Sequence, residues 1–234
     1  MKLFELFENY QFRYFSLFEE NENNKKLLVI YGGRFQPPTP GHFEVYKWLT
    51  KHFGRENVYI TTSDRTDINK KTTKENMKSF FNFEEKKMLW KNIFGIDEDK
   101  IILSKNPVFN PTEILSKFPP ENTIFVSVTS EKDKERFIGL SIKSGDIKVE
   151  QYPTRNGIPI NFNSIKKELN GYNKTMYYLI LPEFKGISAT KVRNIFQNDN
   201  LTVEEKKKLI SKIYNNRMSD EIFSFINKKL NLLK

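Results

Sequence analysis

From Leu27 onward the apolar positions keep two rhythms in turn. LLVIY (27–31) is a continuous apolar run closed by Gly32-Gly33, the pattern of a buried strand entering a tight turn. GHFEVYKWLTKHF (41–53) then places Phe43, Tyr46, Leu49 and Phe53 on one helical face. NVYITTS (57–63) reads as a second strand, and FNFEEKKMLWKNIFG (81–95) as a helix stopping at Gly95. KIILSK (100–105) is a third strand, PTEILSKF (111–118) a brief helix and NTIFVSVTS (122–130) a fourth strand. YYLILP (177–182) is a last strand, followed by a helix from Ser188. Strands that alternate with helices predict an α/β fold with a parallel sheet of about five strands, covered on both faces.

The two ends and one internal stretch depart from that alternation. At the start, Leu3, Phe7, Tyr10, Tyr14 and Phe18 have helical spacing, widened by Phe4, Leu6, Phe15 and Leu17, and a polar run from Glu19 to Lys26 follows. This predicts an amphipathic helix packed on the main body or on a second copy, and leaves homo-oligomerisation open. Residues 138–174 carry four glycines and two prolines and read as a hairpin or loop excursion, with IKVEQYP (147–153) a candidate strand. Near the C-terminus, Thr202 stands three residues before Glu205 in a capping box, and Ser219 precedes Ile222, Phe225, Ile226 and Leu230 on one face, predicting two closing helices. The expected organisation is a helix and linker over 1–24, a main domain over 25–198 and C-terminal helices over 199–234.

Composition narrows the class. Among the 234 residues there is no Cys and there are only two His, which excludes a disulfide scaffold and cysteine-ligated zinc. No apolar run approaches the roughly 18 residues of a membrane span, so a soluble, cytoplasmic protein without a membrane partner is expected. The formal charge of +10 is concentrated between residues 25 and 200, which net +9, while 1–24 net −3 and 201–234 net +4. A basic body attracts polyanions, and both nucleic acid and nucleoside phosphates satisfy that requirement.

The candidate chemistry sits in Gly32-Gly33-Arg34-Phe35-Gln36-Pro37-Pro38-Thr39-Pro40-Gly41-His42. Two glycines let a backbone approach a ligand closely, Arg34 can hold phosphate oxygens in a fork, and three prolines stiffen the loop. Thr39 and His42 bracket a helix start, whose free N–H groups favour an anion. These residues resemble the HxGH nucleotidyltransferase superfamily, and GRFQP is similar to the opening of archaeal-type and viral nicotinamide-mononucleotide adenylyltransferases. The tetrad is the Thr-x-Gly-His version, with Thr39 in the first position. Downstream, Gly186-Ile187-Ser188-Ala189-Thr190-Lys191-Val192-Arg193 looks like the family's ISSTxxR, with Ala189 replacing the second Ser. Thr129-Ser130-Glu131-Lys132-Asp133, with Arg136-Phe137, resembles its GEKDxxRF-like segment, and Lys78–Lys86 its SPF-containing one, where Phe80 stands for the usual Pro. The likeness covers about residues 27–196.

The resemblance implies a Rossmann-like sheet and an adenylyl transfer from ATP to a phosphorylated small-molecule acceptor, nicotinamide mononucleotide first among them, with release of pyrophosphate. It assigns His42 to the α/β phosphate bridge and Thr39 to the transferring phosphoryl group. Arg34, Ser188, Thr190 and Arg193 go to the β/γ end, with Gly32, Gly33, Phe35, Lys132 and Asp133 as further ATP contacts. Phe81, Trp90 and Lys86 are the candidates for the acceptor side, the two rings by stacking, with core packing as the competing reading. Mg²⁺ is expected on the triphosphate, with no metal-ligating residue in the chain, and nucleic acid is not required. Pantetheine-phosphate adenylyltransferase, a cytidylyltransferase of the same scaffold, and a non-catalytic nucleic-acid-binding protein with a decayed site remain alternatives. A fused Nudix hydrolase is excluded because no glutamate-rich REUxEE box is present.

Overall fold

The computed structural model describes residues 24–64, 80–135, 147–184 and 186–231. The helix expected near the N-terminus, Lys78, Ser79, Arg136 and Phe137 fall outside them. The strands are β1 (Lys26–Gly32), β2 (Val58–Thr62), β3 (Ile101–Leu103), β4 (Thr123–Thr129), β5 (Lys148–Gln151), β6 (Thr154–Arg155), β7 (Ile158–Pro159) and β8 (Thr175–Ile180). The helices are α1 (Pro40–Phe53), α2 (Phe83–Phe94), α3 (Thr112–Leu115), α4 (Phe162–Ile165), α5 (Ala189–Phe196), α6 (Val203–Ile213) and α7 (Asp220–Asn231).

Six strands form one sheet in the order β3-β2-β1-β4-β8-β5, and β6 and β7 form a separate hairpin. The registered neighbours β1–β4, β4–β8, β8–β5 and β2–β3 are all parallel; Leu27 faces Ile124 and Ile30 faces Ser127. This is a Rossmann-like α/β sheet. The sixth strand is the candidate at 147–153, which adds to the edge at β8 and takes the count past the expected five. The continuous apolar run of β1 is explained by burial, since Leu27–Tyr31 are buried, and all seven residues of β4 are buried too, with Thr123, Ser127 and Thr129 among them. The helix expected over 111–118 contracts to the four residues of α3.

The described residues fall into two compact units, each discontinuous in sequence: those up to 30 with those of 115–181, and those of 31–114 with those from 182 on. In the first, Tyr172 donates its hydroxyl to the carbonyls of Leu115 and Phe118, and Gly171 packs against the carbonyls of Pro120 and Glu121. In the second, α2 shows what sequence-coded helix ends do. Asn82 caps it, Glu85 closes the capping box, and Gly95 ends it in the left-handed conformation at φ 68°. The second unit also holds α1, α5, α6 and α7, and with them both ends of the motif pair.

Candidate active site

The loop 33–39 follows the C-terminal end of β1, the end of a strand at which parallel α/β sheets bind ligands. The loop is built from inside. Gly33 donates its N–H to the Thr61 carbonyl at 3.0 Å. Phe35 takes a left-handed backbone (φ 48°), which folds its ring back over Gly33 and buries it. There the ring meets Tyr31, His42 and Trp90 edge-on at 5.1–5.2 Å between centroids. Buried Gln36 clasps the backbone of Phe81, donating to its carbonyl at 2.9 Å and accepting its N–H at 2.8 Å.

Thr39 then caps α1 and joins His42 in a capping box in which the imidazole does the work usually done by a Glu side chain. The His42 N–H donates to Thr39 Oγ1 at 3.4 Å, and the Thr39 N–H donates to His42 Nδ1 at 3.0 Å. An Nδ1 that accepts a backbone N–H carries no proton, so the neutral ring holds its proton on Nε2. Burial lowers the His42 pKa from 6.5 to about 4, and the imidazole is therefore a neutral N–H donor at pH 7.

The second motif reaches the first through two glycines. A Cβ on Gly186 would lie 2.8 Å from the Cα of Gly41, so the start of α1 and the segment leading into α5 touch backbone to backbone. Ser188 caps α5 by accepting the Lys191 N–H at 3.2 Å. Arg193 donates to the Gln36 carbonyl at 2.6 Å and to Thr190 Oγ1 at 3.0 Å, and its guanidinium lies 5.4 Å from the centre of the Phe80 ring. Burial, and then the charge of nearby Arg34, lower the Arg193 pKa.

The helix ends differ in a way that bears on function. Among the described residues, α2, α6 and α7 begin with their own acids: Glu84 and Glu85, Glu204 and Glu205, Asp220 and Glu221. α1 and α5 have none in the first turn. Side-chain caps take the N–H groups of His42 and Lys191, while Gly41 in α1 and Ala189 and Thr190 in α5 keep first-turn N–H groups that a helix cannot satisfy internally. Two uncompensated positive helix ends, together with Arg34 and a neutral imidazole N–H, make an arrangement suited to a polyanion.

Several residues expected at the ligand are instead structural. Phe35, Phe81 and Trp90 are buried, the last two completely, and show no ring face on which a substrate could stack. Thr39 is 1 % exposed, and its hydroxyl is used as the cap of α1. Lys86, also 1 % exposed, donates to Thr62 Oγ1 at 3.1 Å and to the Ser63 carbonyl. Thr62 in turn donates to the Arg34 carbonyl at 3.4 Å, which makes Lys86 a strut under the loop. Burial lowers its pKa to about 8, opposed by Asp64, and it remains largely an ammonium at pH 7. Gly32 and Gly33 are required by the chain itself, since a Cβ would strike the Pro107 carbonyl at 2.2 Å and the Phe35 ring at 2.7 Å respectively. Lys132 and Asp133 belong to the other unit, in the short turn Glu131–Asp133, where Asp133 accepts from the Ser130 hydroxyl at 3.0 Å. Gln36, Phe80 and Tyr214 carry site contacts that no local pattern announces.

Residues 30–195 match the cytidylyltransferase-like family, and the chain belongs to it. It is a nucleotidyltransferase of the HxGH superfamily. Among solved structures, one that is similar is the nicotinic acid mononucleotide adenylyltransferase of Plasmodium falciparum complexed with NaAD. It is 18% identical with a TM-score of 0.42, over 81% of this chain and 98% of that one. The same enzyme complexed with APC is 16% identical with a TM-score of 0.42, over the same shares. A comparison with curated protein sequences returned no match.

Proposed function

We propose that the protein transfers the adenylyl group of ATP to a phosphate-bearing acceptor, nicotinamide mononucleotide, giving NAD and pyrophosphate. One observation carries the reading: the two acid-free helix starts meet at Gly41 and Gly186, beside an imidazole whose Nε2 keeps its proton. The resemblance of GRFQP to the opening of the mononucleotide adenylyltransferases favours this acceptor, while the Thr-x-Gly-His tetrad is shared with pantetheine-phosphate adenylyltransferase, the second candidate. In the reaction an oxygen of the acceptor phosphate forms a bond to the α-phosphorus. The bond from that phosphorus to the α/β bridging oxygen breaks, and its electron pair leaves with pyrophosphate. The attacking phosphate is already ionised, so no general base is needed, and catalysis comes from positioning and charge stabilisation.

In this reading the His42 Nε2–H donates to the bridging region, where negative charge grows as the bond breaks. The N–H groups of Gly41, Ala189 and Thr190 hold the triphosphate oxygens together with Arg34. Arg193 keeps the loops in register through Gln36 and Thr190, using two of its five donors. Mg²⁺ belongs here as the counter-ion of ATP, held by phosphate oxygens and water, where it neutralises charge. Among the described residues no group of three or more His, Cys, Asp or Glu could hold a metal, and the roles given to the chain's own residues do not depend on one. No helix among the described residues is long and apolar enough to cross a membrane, and a cytoplasmic setting goes with this chemistry.

The test is a pyrophosphate-release panel of ATP or CTP against nicotinamide mononucleotide, nicotinic acid mononucleotide, phosphopantetheine and glycerol phosphate. Release only with ATP and nicotinamide mononucleotide is expected. Turnover with CTP, or with phosphopantetheine alone, assigns the site to one of the family's other reactions. No release with any pair, alongside salt-steep DNA binding, overturns the enzymatic reading.

A further inference from the structure

The family match ends at residue 195, yet a side chain well beyond it reaches the loop that presents His42. Tyr214 closes α6 and is buried, and its hydroxyl donates to the Pro38 carbonyl at 2.8 Å across 176 residues of sequence. Two consecutive left-handed residues, Asn215 (φ 50°) and Asn216 (φ 58°), follow it. Asparagine is a non-glycine residue that enters this conformation readily, and the pair ends α6 in a tight turn. The turn is fastened by Asn216 N–H to the Ser211 carbonyl at 2.9 Å and Arg217 N–H to the Tyr214 carbonyl at 3.0 Å. It carries the Arg217 guanidinium over the ring of Phe43 at 5.1 Å, while Tyr214 stacks on Phe94 and Phe94 on Phe43. Phe43 is the residue after His42.

The Pro38 carbonyl and the Thr39 N–H belong to one peptide plane. Tyr214 holds the plane by its oxygen, and the same plane donates by its nitrogen to His42 Nδ1. A peptide that accepts at C=O donates more strongly at N–H, because hydrogen bonds in series polarise one another. We infer that Tyr214 is a positioning residue for His42, fixing the ring's orientation and its Nε2–H tautomer through the Pro38–Thr39 peptide. The catalytic consequence rests on the proposed nucleotidyl transfer; the structural one does not.

Tyr214→Phe removes one oxygen and keeps the ring against Phe94, so the variant is expected to fold. Two readouts separate the claims. The ¹⁵N resonances of His42, in a chain with only one other histidine, are expected to show Nε2–H alone in the wild type and a mixture of tautomers in the variant. In pyrophosphate release, kcat is expected to fall about tenfold with KM for ATP within about twofold, and the same change on a His42→Ala background is expected to cost nothing further. Tyr172→Phe, which deletes a comparable hydroxyl in the other unit, is the control and is expected to leave the His42 spectrum unchanged. Should Tyr214→Phe fail to fold, Arg217→Gln loosens the same turn from outside and is expected to shift the His42 resonances in the same direction, by less. An unchanged His42 spectrum in the folded variant overturns the inference. Absence of pyrophosphate release in the wild type counts against the proposed reaction alone, because the spectrum still decides what Tyr214 does.

Discussion

The two segments that meet at Gly41 and Gly186 are built on opposite plans. The loop 33–39 is closed on itself: Phe35 is packed among three aromatic side chains, Gln36 is clasped to Phe81, and Thr39 is locked with His42. The start of α5 is open, with Ser188 and Thr190 exposed and no acid in the first turn. The first segment spends its side chains on fixing one imidazole, and in the proposed reaction the second offers its N–H groups to the ligand. A site of this kind divides the labour between a rigid presenter and an uncompensated anion seat, so that damage to the first should appear in turnover and damage to the second in affinity.

The largest expected effect is on the presenter. His42→Ala should lower kcat for pyrophosphate release by about 10²- to 10³-fold, as loss of one donor to developing charge does elsewhere, with a melting shift equivalent to about 1 kcal/mol or less. A mutant that keeps wild-type turnover removes the imidazole from the chemistry. The same residue gives a pH effect on stability. Its folded pKa of about 4 lies below its ordinary 6.5, so between those values the unfolded chain binds the proton and the folded chain does not. Stability therefore falls as pH drops from about 6.5 towards 4, by up to about 3 kcal/mol, and His42→Gln should flatten that slope in urea melts.

Next comes the contact that joins the two segments. Gly186→Ala puts a methyl 2.8 Å from the Cα of Gly41, which neither backbone can accept without shifting. A loss of about 1–3 kcal/mol in stability and at least a tenfold weaker affinity for ATP are expected from calorimetry. The smallest effect is the most discriminating. Ala189→Glu adds the first-turn acid that α5 lacks, and should stabilise the protein by about 0.3–1 kcal/mol while weakening ATP binding. A variant that melts higher and binds ATP equally well would show that the α5 start does not face the triphosphate.

Much of this was legible in the sequence where the information is local. A continuous apolar run marks β1, a β-branched and apolar stretch marks β4, and the spacing over 41–53 marks α1, because burial constrains neighbouring residues. The helix start at Ser188 was legible too, since a cap is a short-range device, whereas Thr39 was read as a phosphate contact and only the fold shows its hydroxyl used as a cap. The sixth strand was visible only as a candidate, and 111–118 overstated α3. At the site, aromatic residues at 35, 81 and 90 look alike whether they stack on a ligand or on each other, and only the fold distinguishes Phe35 and Trp90, in mutual contact, from a substrate clamp. Lys86 has the same ambiguity, for a lysine's burial cannot be read from its neighbours in sequence. The Gln36–Phe81 clasp, the Arg193–Gln36 contact and the Tyr214–Pro38 contact are separated by 45, 157 and 176 residues and leave no periodic trace.

The seat for the triphosphate is tested most directly by ATP titration followed through backbone amide resonances. The largest shifts are expected at Gly41, His42, Ala189 and Thr190, rising together along one binding curve. Saturable ATP binding that leaves those four amides unmoved would contradict the account.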